Sequence, residues 1–433
     1  MRKHFFCARN IEDYRAIFSA GYGYNHAAEP HLEQNIFLRY LKDLYNVPDF
    51  VLDSQIVGDT GIDGLRLDFN FGLRLDVPQG NFRVVISDAD TDEIFFNEHV
   101  SDVRLISAEK NFIRWKVAVF LEDKKIFSHT LNLEGRPVTI MFVFDALGDA
   151  LAFLPVVREF MRRHRCEMTV CLPKYIKEFA AHMYPEFKQI DQVDFHAYAT
   201  YYLTPLKTKI FFFPANRSTA PVERFGTELL GLGGLVPNPT FKPTMPPVTS
   251  DPYVCIGVQA STTAKGWLYP NGWDIVIDYL KSLGYRVFCI DKHAEETNKG
   301  LTIRKPVGAE DFTGDISIME RANMLYHAEF FIGLSSGLAW LANAVDCPVV
   351  MISGFSKDWY EFSTPYRVAN RLVCNGCFND LRLNFFEPIC PIHNGTPREL
   401  ECQKKISPRQ VLDAIERLIV DRNLTPPVMR DFP

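Results

Sequence analysis

The stretch Val138-Thr139-Ile140-Met141-Phe142-Val143-Phe144-Asp145-Ala146-Leu147-Gly148-Asp149 decides the fold class. Its first seven residues are almost continuously apolar, as suits a parallel strand covered on both faces. Gly148 then lets the chain turn, and a helix is predicted over 149–164, followed by strands over 166–172 and 209–214. This is β-α-β alternation. Working outward, residues 236–252 hold Pro237, Pro239, Pro243, Pro246, Pro247 and Pro252, a density that reads as a linker. Strands then fall at 253–259, 285–290, 329–334 and 348–353, with helices at 271–283, 316–327 and 337–345. The chain is therefore read as α/β, with two Rossmann-like units facing a cleft in which ligands sit at the carboxyl ends of strands.

Upstream the pattern differs. Leu65-Arg66-Leu67-Asp68-Phe69-Asn70-Phe71 and Leu73-Arg74-Leu75-Asp76-Val77 alternate apolar with polar residues. Further short runs follow, with turn signals at 78–80, 88–92 and 122–123. A small antiparallel sandwich or barrel is predicted over 60–134. No titratable cluster converges there, so a recognition role is expected ahead of chemistry. A helix is predicted at 29–44, stopped by Asn46-Val47-Pro48. The expected division is 1–136 (helical segment plus β-rich acceptor-binding domain), 137–245 (first Rossmann-like domain) and 246–433 (second, nucleotide-sugar-binding domain).

The chain has 433 residues, 47% hydrophobic and 23% charged, with a net charge of −6. That balance excludes a largely disordered chain and argues against a nucleic-acid coat or an anionic-membrane binder. No run approaches the ~20 apolar residues of a membrane span, and 1–9 is too short for a signal-peptide core. A cytoplasmic protein is expected, with neither nucleic acid nor membrane as partner.

Three strand-end segments carry chemistry. Gly148-Asp149 places a carboxylate at the cleft mouth, where Asp149 either caps a helix or accepts a proton; Asp145 is the rival base. Gln259-Ala260-Ser261-Thr262-Thr263-Ala264-Lys265-Gly266-Trp267 offers hydroxyls, backbone N–H groups and one cation suited to a diphosphate. Gly333-Leu334-Ser335-Ser336-Gly337-Leu338 runs from a strand into a helix N-terminus, again suited to an anion or to a routine Ser cap. Asp88-Ala89-Asp90 lies between hairpin strands and is read as a turn. No catalytic divalent metal is expected.

Ten cysteines need a reason other than secretion disulfides. Cys7, Cys166, Cys171, Cys255, Cys289 and Cys347 are scattered and read as core thiols. Cys374, Cys377, Cys390 and Cys402 crowd into 374–402. Four thiolates suit tetrahedral zinc or a mononuclear iron with no position left for substrate. The alternative is a redox pair plus two stray thiols.

In this order the motifs resemble the heptosyltransferases of the GT-B class. Gly148-Asp149 with Leu154-Pro155 looks like that family's G-D-x-x-x-x-L-P element, whose Asp is the proposed base. Thr262-Thr263-Ala264-Lys265-Gly266-Trp267 is similar to its T-x-x-K-x-W loop. Ser335-Ser336-Gly337-Leu338 occupies the place of D-T-G-L, with Ser335 and Ser336 in place of Asp and Thr. The front segment from Gly64 to Asn70, the Ser-Ser-Gly-Leu segment and the four-cysteine finger resemble the bacterial autotransporter O-heptosyltransferases over nearly the whole chain. That resemblance implies transfer of heptose from ADP-heptose to serine hydroxyls of an autotransporter passenger, with inversion. It assigns Asp149 as base and Lys265 to the leaving diphosphate, and places Gly148, Thr262, Thr263, Gly266, Ser335, Ser336 and Gly337 around the substrates. It also implies one structural iron per chain, with zinc the alternative, and a large homo-oligomeric ring such as a dodecamer. A sugar-nucleotide epimerase, another GT-B transferase or a non-catalytic nucleotide-sugar-binding module are the other readings.

Overall fold

The computed structural model describes residues 4–8, 54–142, 146–191, 196–203, 214–215, 218–298, 301–380, 383 and 390–430. The helix expected at 29–44, Asp145, and nearly all of the strand expected at 209–214 lie outside them.

The strands are β1 (Phe5–Ala8), β2 (Arg66–Asn70), β3 (Arg74–Val77), β4 (Phe82–Asp88), β5 (Ile94–Val100), β6 (Val103–Ser107), β7 (Trp115–Leu121), β8 (Lys124–Thr130), β9 (Pro137–Phe142), β10 (Glu167–Cys171), β11 (Lys188–Ile190) and β12 (Ala199–Leu203). They continue with β13 (Tyr253–Gly257), β14 (Arg286–Cys289), β15 (Glu295–Asn298), β16 (Leu301–Arg304), β17 (Glu310–Asp311), β18 (Phe331–Leu334), β19 (Val349–Ile352) and β20 (Arg367–Val368). Among helices of eight residues or more, α1 is Leu147–His164, α2 Val222–Leu229, α3 Gly272–Ser282, α4 Ile318–His327, α5 Gly337–Ala344 and α6 Pro408–Asp421.

The second unit is a parallel sheet of order β17-β14-β13-β18-β19-β20. Counted by chain order without the β15–β16 hairpin, this is the 3-2-1-4-5-6 arrangement of dinucleotide-binding folds. Its strand order reverses between β13 and β18, where such folds open a ligand crevice. Strands β13, β18 and β19 are buried throughout, as their continuous apolar sequence predicts.

The first unit corrects one expectation. β12-β9-β10-β11 is parallel, but β12 also pairs with β2, and the sheet continues antiparallel through β3 and β6 to β1. One eight-stranded sheet therefore crosses the expected boundary at 136/137. Among the described strands of residues 60–134, only β5-β4-β7-β8 forms a separate antiparallel sheet. The Trp115 ring meets Phe5 and Phe95 edge-on. The residues expected to form a self-contained sandwich instead supply three strands of the large sheet, β2, β3 and β6, and one cover for it. Glu122 and Asp123, both with positive φ, make the two-residue turn between β7 and β8, matching the twist of a hairpin. In the Asp88-Ala89-Asp90 turn, Asp88 accepts from the Asp90 N–H at 2.9 Å, the local bonding of an Asx turn.

The proline-dense stretch is pinned to both units. Phe241 stacks on Phe179 and meets Tyr326, and the Thr244 and Met245 N–H groups donate to Asn323 Oδ1. No helix among the described residues is long and apolar enough to cross a membrane.

Candidate active site

Helix α1 is the next element after β9 among the described residues, with Gly148 and Asp149 in its first turn. The N-cap is Ala146, which has no side-chain cap bond, so Asp149 is not spent on capping. Across from it, α5 starts after β18 with Gly337 as its first residue. The two helix ends touch because both carry glycine. A Cβ on Gly148 would lie 2.7 Å from Trp340 Cδ1, and one on Gly337 would lie 2.8 Å from Leu147 Cβ. The strand-end turns of the two units are thereby held face to face.

Between them lies the loop after β13. Thr262 opens a short 3₁₀ turn, Thr263–Lys265, and its hydroxyl accepts the Ala264 N–H at 3.4 Å. Gly266 closes the turn. Lys265 is buried, and its Nζ donates to the Ser335 carbonyl at 3.2 Å. The sequence motif of one strand end thus grips the motif of the next across the point where strand order reverses. Among the described residues, Thr263 Oγ1 and Ser336 Oγ are buried hydroxyls without a hydrogen-bond partner, and Ser336 is an N-cap whose side chain bonds nothing in α5. Buried polar atoms of this kind are costly unless a ligand meets them.

Electrostatics single out Asp149 and Lys265. Burial pushes the Asp149 carboxyl up to about 6, against a smaller downward pull from the Lys265 charge. Burial also lowers the Lys265 ammonium, which Glu361 and then Asp149 support and Arg367 opposes. Glu361 and Arg367 were not found from sequence. Glu361 is buried, accepts the Ser335 hydroxyl and takes Arg367 Nη2 at 2.7 Å. Asp291, also missed, lies just past β14 and accepts the Val258 and Gln259 N–H groups at 2.7 and 3.2 Å. It tethers the start of the lysine loop. Burial raises its carboxyl to about 6.

The cysteine segment lies against the same loop. Cys374 Sγ, a His393 ring nitrogen and a Glu401 oxygen all lie within 4.8 Å of one another. Cys377, Cys390 and Cys402 are near enough for their charges to act on Cys374 or on each other. Burial raises the Cys402 thiol to about 12 and Cys374 to about 11, with the Glu401 carboxylate adding to the latter. Thiols so disfavoured as anions are relieved by a cation, and the His393 backbone N–H already donates to Cys390 Sγ at 3.2 Å. The donor set fits a thiophilic metal. The tightest trio, however, includes His393 and Glu401, which sequence reading did not single out. Arg398 holds the Glu401 carboxyl down at about 2.

The chain matches two family descriptions: Glycosyltransferase TibC, N-terminal domain, over residues 61–123, and Glycosyltransferase family 9 (heptosyltransferase), over 237–380. It is 37% identical over 384 residues to the autotransporter heptosyltransferase BAHTCr of Citrobacter rodentium, spanning 85% of this chain and 92% of that one. It is likewise 37% identical over 391 residues to TibC of Escherichia coli O78:H11, spanning 87% and 94%. A Burkholderia thailandensis relative described as inactive, BimC, is 32% identical and spans 83% and 87%. The crystal structure of the iron-containing dodecameric glycosyltransferase TibC superimposes with a TM-score of 0.81 at 36% identity, covering 86% of this chain and 99% of that one. TibC has also been solved in complex with ADP-D-beta-D-heptose. The fold is thus the GT-B arrangement that the β-α-β sequence pattern and its resemblance implied.

Proposed function

Since the chain belongs to the autotransporter heptosyltransferases, within glycosyltransferase family 9, we propose that it transfers heptose from ADP-heptose to serine hydroxyls of an autotransporter protein in the cytoplasm. The observation that carries this reading is the pairing of Asp149 with Lys265. The two come from separate Rossmann units and act on each other's charge.

In this mechanism the Asp149 carboxylate takes the proton of the acceptor hydroxyl while its oxygen attacks the anomeric carbon. The bond from that carbon to the diphosphate breaks on the opposite face, so configuration inverts. Lys265 sits where negative charge grows on the departing ADP, a role in which a preorganised cation counts most. Thr262, Thr263, Gly266, Ser335, Ser336 and the N–H groups of Gly337 and its neighbours in the first turn of α5 are the remaining phosphate and sugar contacts. The close packing at Gly148 fixes the approach of base to donor, an orientational gain.

The cysteine segment is assigned to one iron per chain, by analogy with the iron-containing TibC, with zinc the chemical alternative. Cys374, Cys377, Cys390 and Cys402 would hold it. The metal would supply a cross-link between distant parts of the segment and would take no part in transfer. A large ring, as in dodecameric TibC, is the proposed assembly.

The deciding experiment is intact-mass analysis of a candidate autotransporter passenger after incubation with ADP-heptose. Gain of one or more heptose masses supports the reading. Since one relative is described as inactive, ADP binding without a mass shift would instead make this chain a nucleotide-sugar-binding module. Consumption of donor without acceptor would indicate an epimerase.

A further inference from the structure

Two residues that directly follow cysteines of the finger reach into the lysine loop. Phe378, next to Cys377, lies under Lys265, with the ammonium 4.2 Å from the ring centroid. Gln403, next to Cys402, is fully buried and donates its amide to the Ala264 carbonyl at 3.3 Å. The grip extends along the loop. The Leu268 N–H donates to the Gln403 carbonyl at 3.4 Å, and the Trp267 indole donates to the Ile406 carbonyl at 2.8 Å. Phe378 is itself anchored, its N–H donating to the Phe355 carbonyl at 3.0 Å. The segment that carries the cysteines is therefore the wall on which residues 264–268 rest.

We propose that the cysteine segment buttresses the donor-phosphate loop, with Phe378 and Gln403 as positioning residues. The Phe378 face holds the Lys265 ammonium in place, and the Gln403 amide fixes the backbone that presents it. A long, flexible lysine needs such a seat, because its rotamer freedom otherwise opposes a single catalytic geometry. A desolvated cation over an aromatic face gains far more than an exposed one. A metal held by the cysteines would thereby act on donor binding through Phe378 and Gln403. This inference rests on the assignment of Lys265 to the diphosphate.

The test uses the metal-loaded full chain, with ADP as ligand in calorimetry and metal content measured on every sample. Phe378→Leu keeps apolar bulk and removes the ring face; it should weaken ADP binding about tenfold at unchanged metal content, whereas Phe378→Tyr should stay within about twofold of wild type. Gln403→Met should weaken ADP binding severalfold. In a Lys265→Met background, Phe378→Leu should have no further effect, because the ring acts through the lysine. A purely structural role would leave the two losses additive, and that result overturns the proposal. So does wild-type ADP affinity in both Phe378→Leu and Gln403→Met. If Phe378→Leu loses its metal, the ADP affinity of Gln403→Met at full metal content decides for or against the buttress. Wild-type affinity in Lys265→Met would refute the donor-loop assignment itself, whereas silent Phe378 and Gln403 variants beside a weakened Lys265→Met would refute only the buttress.

Discussion

A base that takes a proton from a serine hydroxyl works best when its pKa lies near the working pH. At about 6, Asp149 is mostly ionised at neutral pH yet more basic than an ordinary carboxylate. Transfer should therefore fall as pH drops through about 6, read as the acid limb of the kcat/KM profile. Asp149→Asn should cost 10²–10⁴-fold in transfer, the range typical of a lost positioned base, with ADP affinity retained. The same burial predicts a gain in stability. The folded-state value lies above the ordinary value of 3.8, so ionised Asp149 disfavours the fold above about pH 6, and this cost vanishes below the ordinary value. Asp149→Asn should raise Tm at pH 7.5 and not at pH 3.5; calorimetry at both values checks it. Lys265→Ala should weaken ADP binding and slow transfer together, and unchanged calorimetry and turnover would remove it from the site. Asp149 and Lys265 could be proposed from sequence because each lies in the segment that follows an apolar strand. Glu361 and Asp291 could not be, because their partners Ser335, Val258 and Gln259 lie 26 to 33 residues away in sequence and only the fold pairs them.

At the scale of elements, the site depends on two helix N-termini packed closer than any Cβ permits. Gly148→Ala forces its new carbon against Trp340 Cδ1, in a core where overpacking typically costs about 1–3 kcal/mol. Denaturant unfolding should show that loss, and kcat should fall because α1 carries the base. Trp340→Leu in the same chain should recover part of the stability by making room; a Gly148→Ala protein as stable and active as wild type would mean the helices separate freely. Sequence patterning found the long apolar strands and the helices between them, since burial on both faces writes itself as an unbroken run. It missed Ala199-Thr200-Tyr201-Tyr202-Leu203, which is β12 at the centre of the large sheet, because two hydroxyl-bearing tyrosines and a threonine dilute the signal. Thr200 and Asn70 bond each other inside the sheet. The β15–β16 hairpin escaped because its apolar residues, Leu301 and Ile303, are confined to β16, while β15 (Glu295, Glu296, Thr297 and Asn298) carries none.

For the whole molecule, the question is what a metal bound by the cysteine segment would join. The finger closes on the second unit at Gly354, where a Cβ would lie 2.2 Å from the Cys402 carbonyl, and it reaches the lysine loop through residues 264–268. A thiolate site in that position is coupled to folding, because its ligands are brought together only in the native chain. Two ligand sets compete for it. The spacing of Cys374, Cys377, Cys390 and Cys402 implies four thiolates, whereas the atoms lying closest are those of Cys374, His393 and Glu401. The charge on Glu401 is already engaged by Arg398, Nε to Oε1 at 3.0 Å. The His393 backbone N–H donates to Cys390 Sγ, which supports that sulfur as a ligand through a contact that does not involve the imidazole ring. Cys377→Ser and Cys402→Ser should therefore lose the metal, lower Tm and break up the assembly. His393→Ala and Glu401→Gln should keep one metal per chain with at most weakened affinity. Metal analysis with light scattering on the four proteins, prepared under reducing conditions, separates the two sets. Full metal in Cys377→Ser and Cys402→Ser together with loss in His393→Ala would assign the site to the Cys-His-Glu trio, and the cysteine spacing would then have misled.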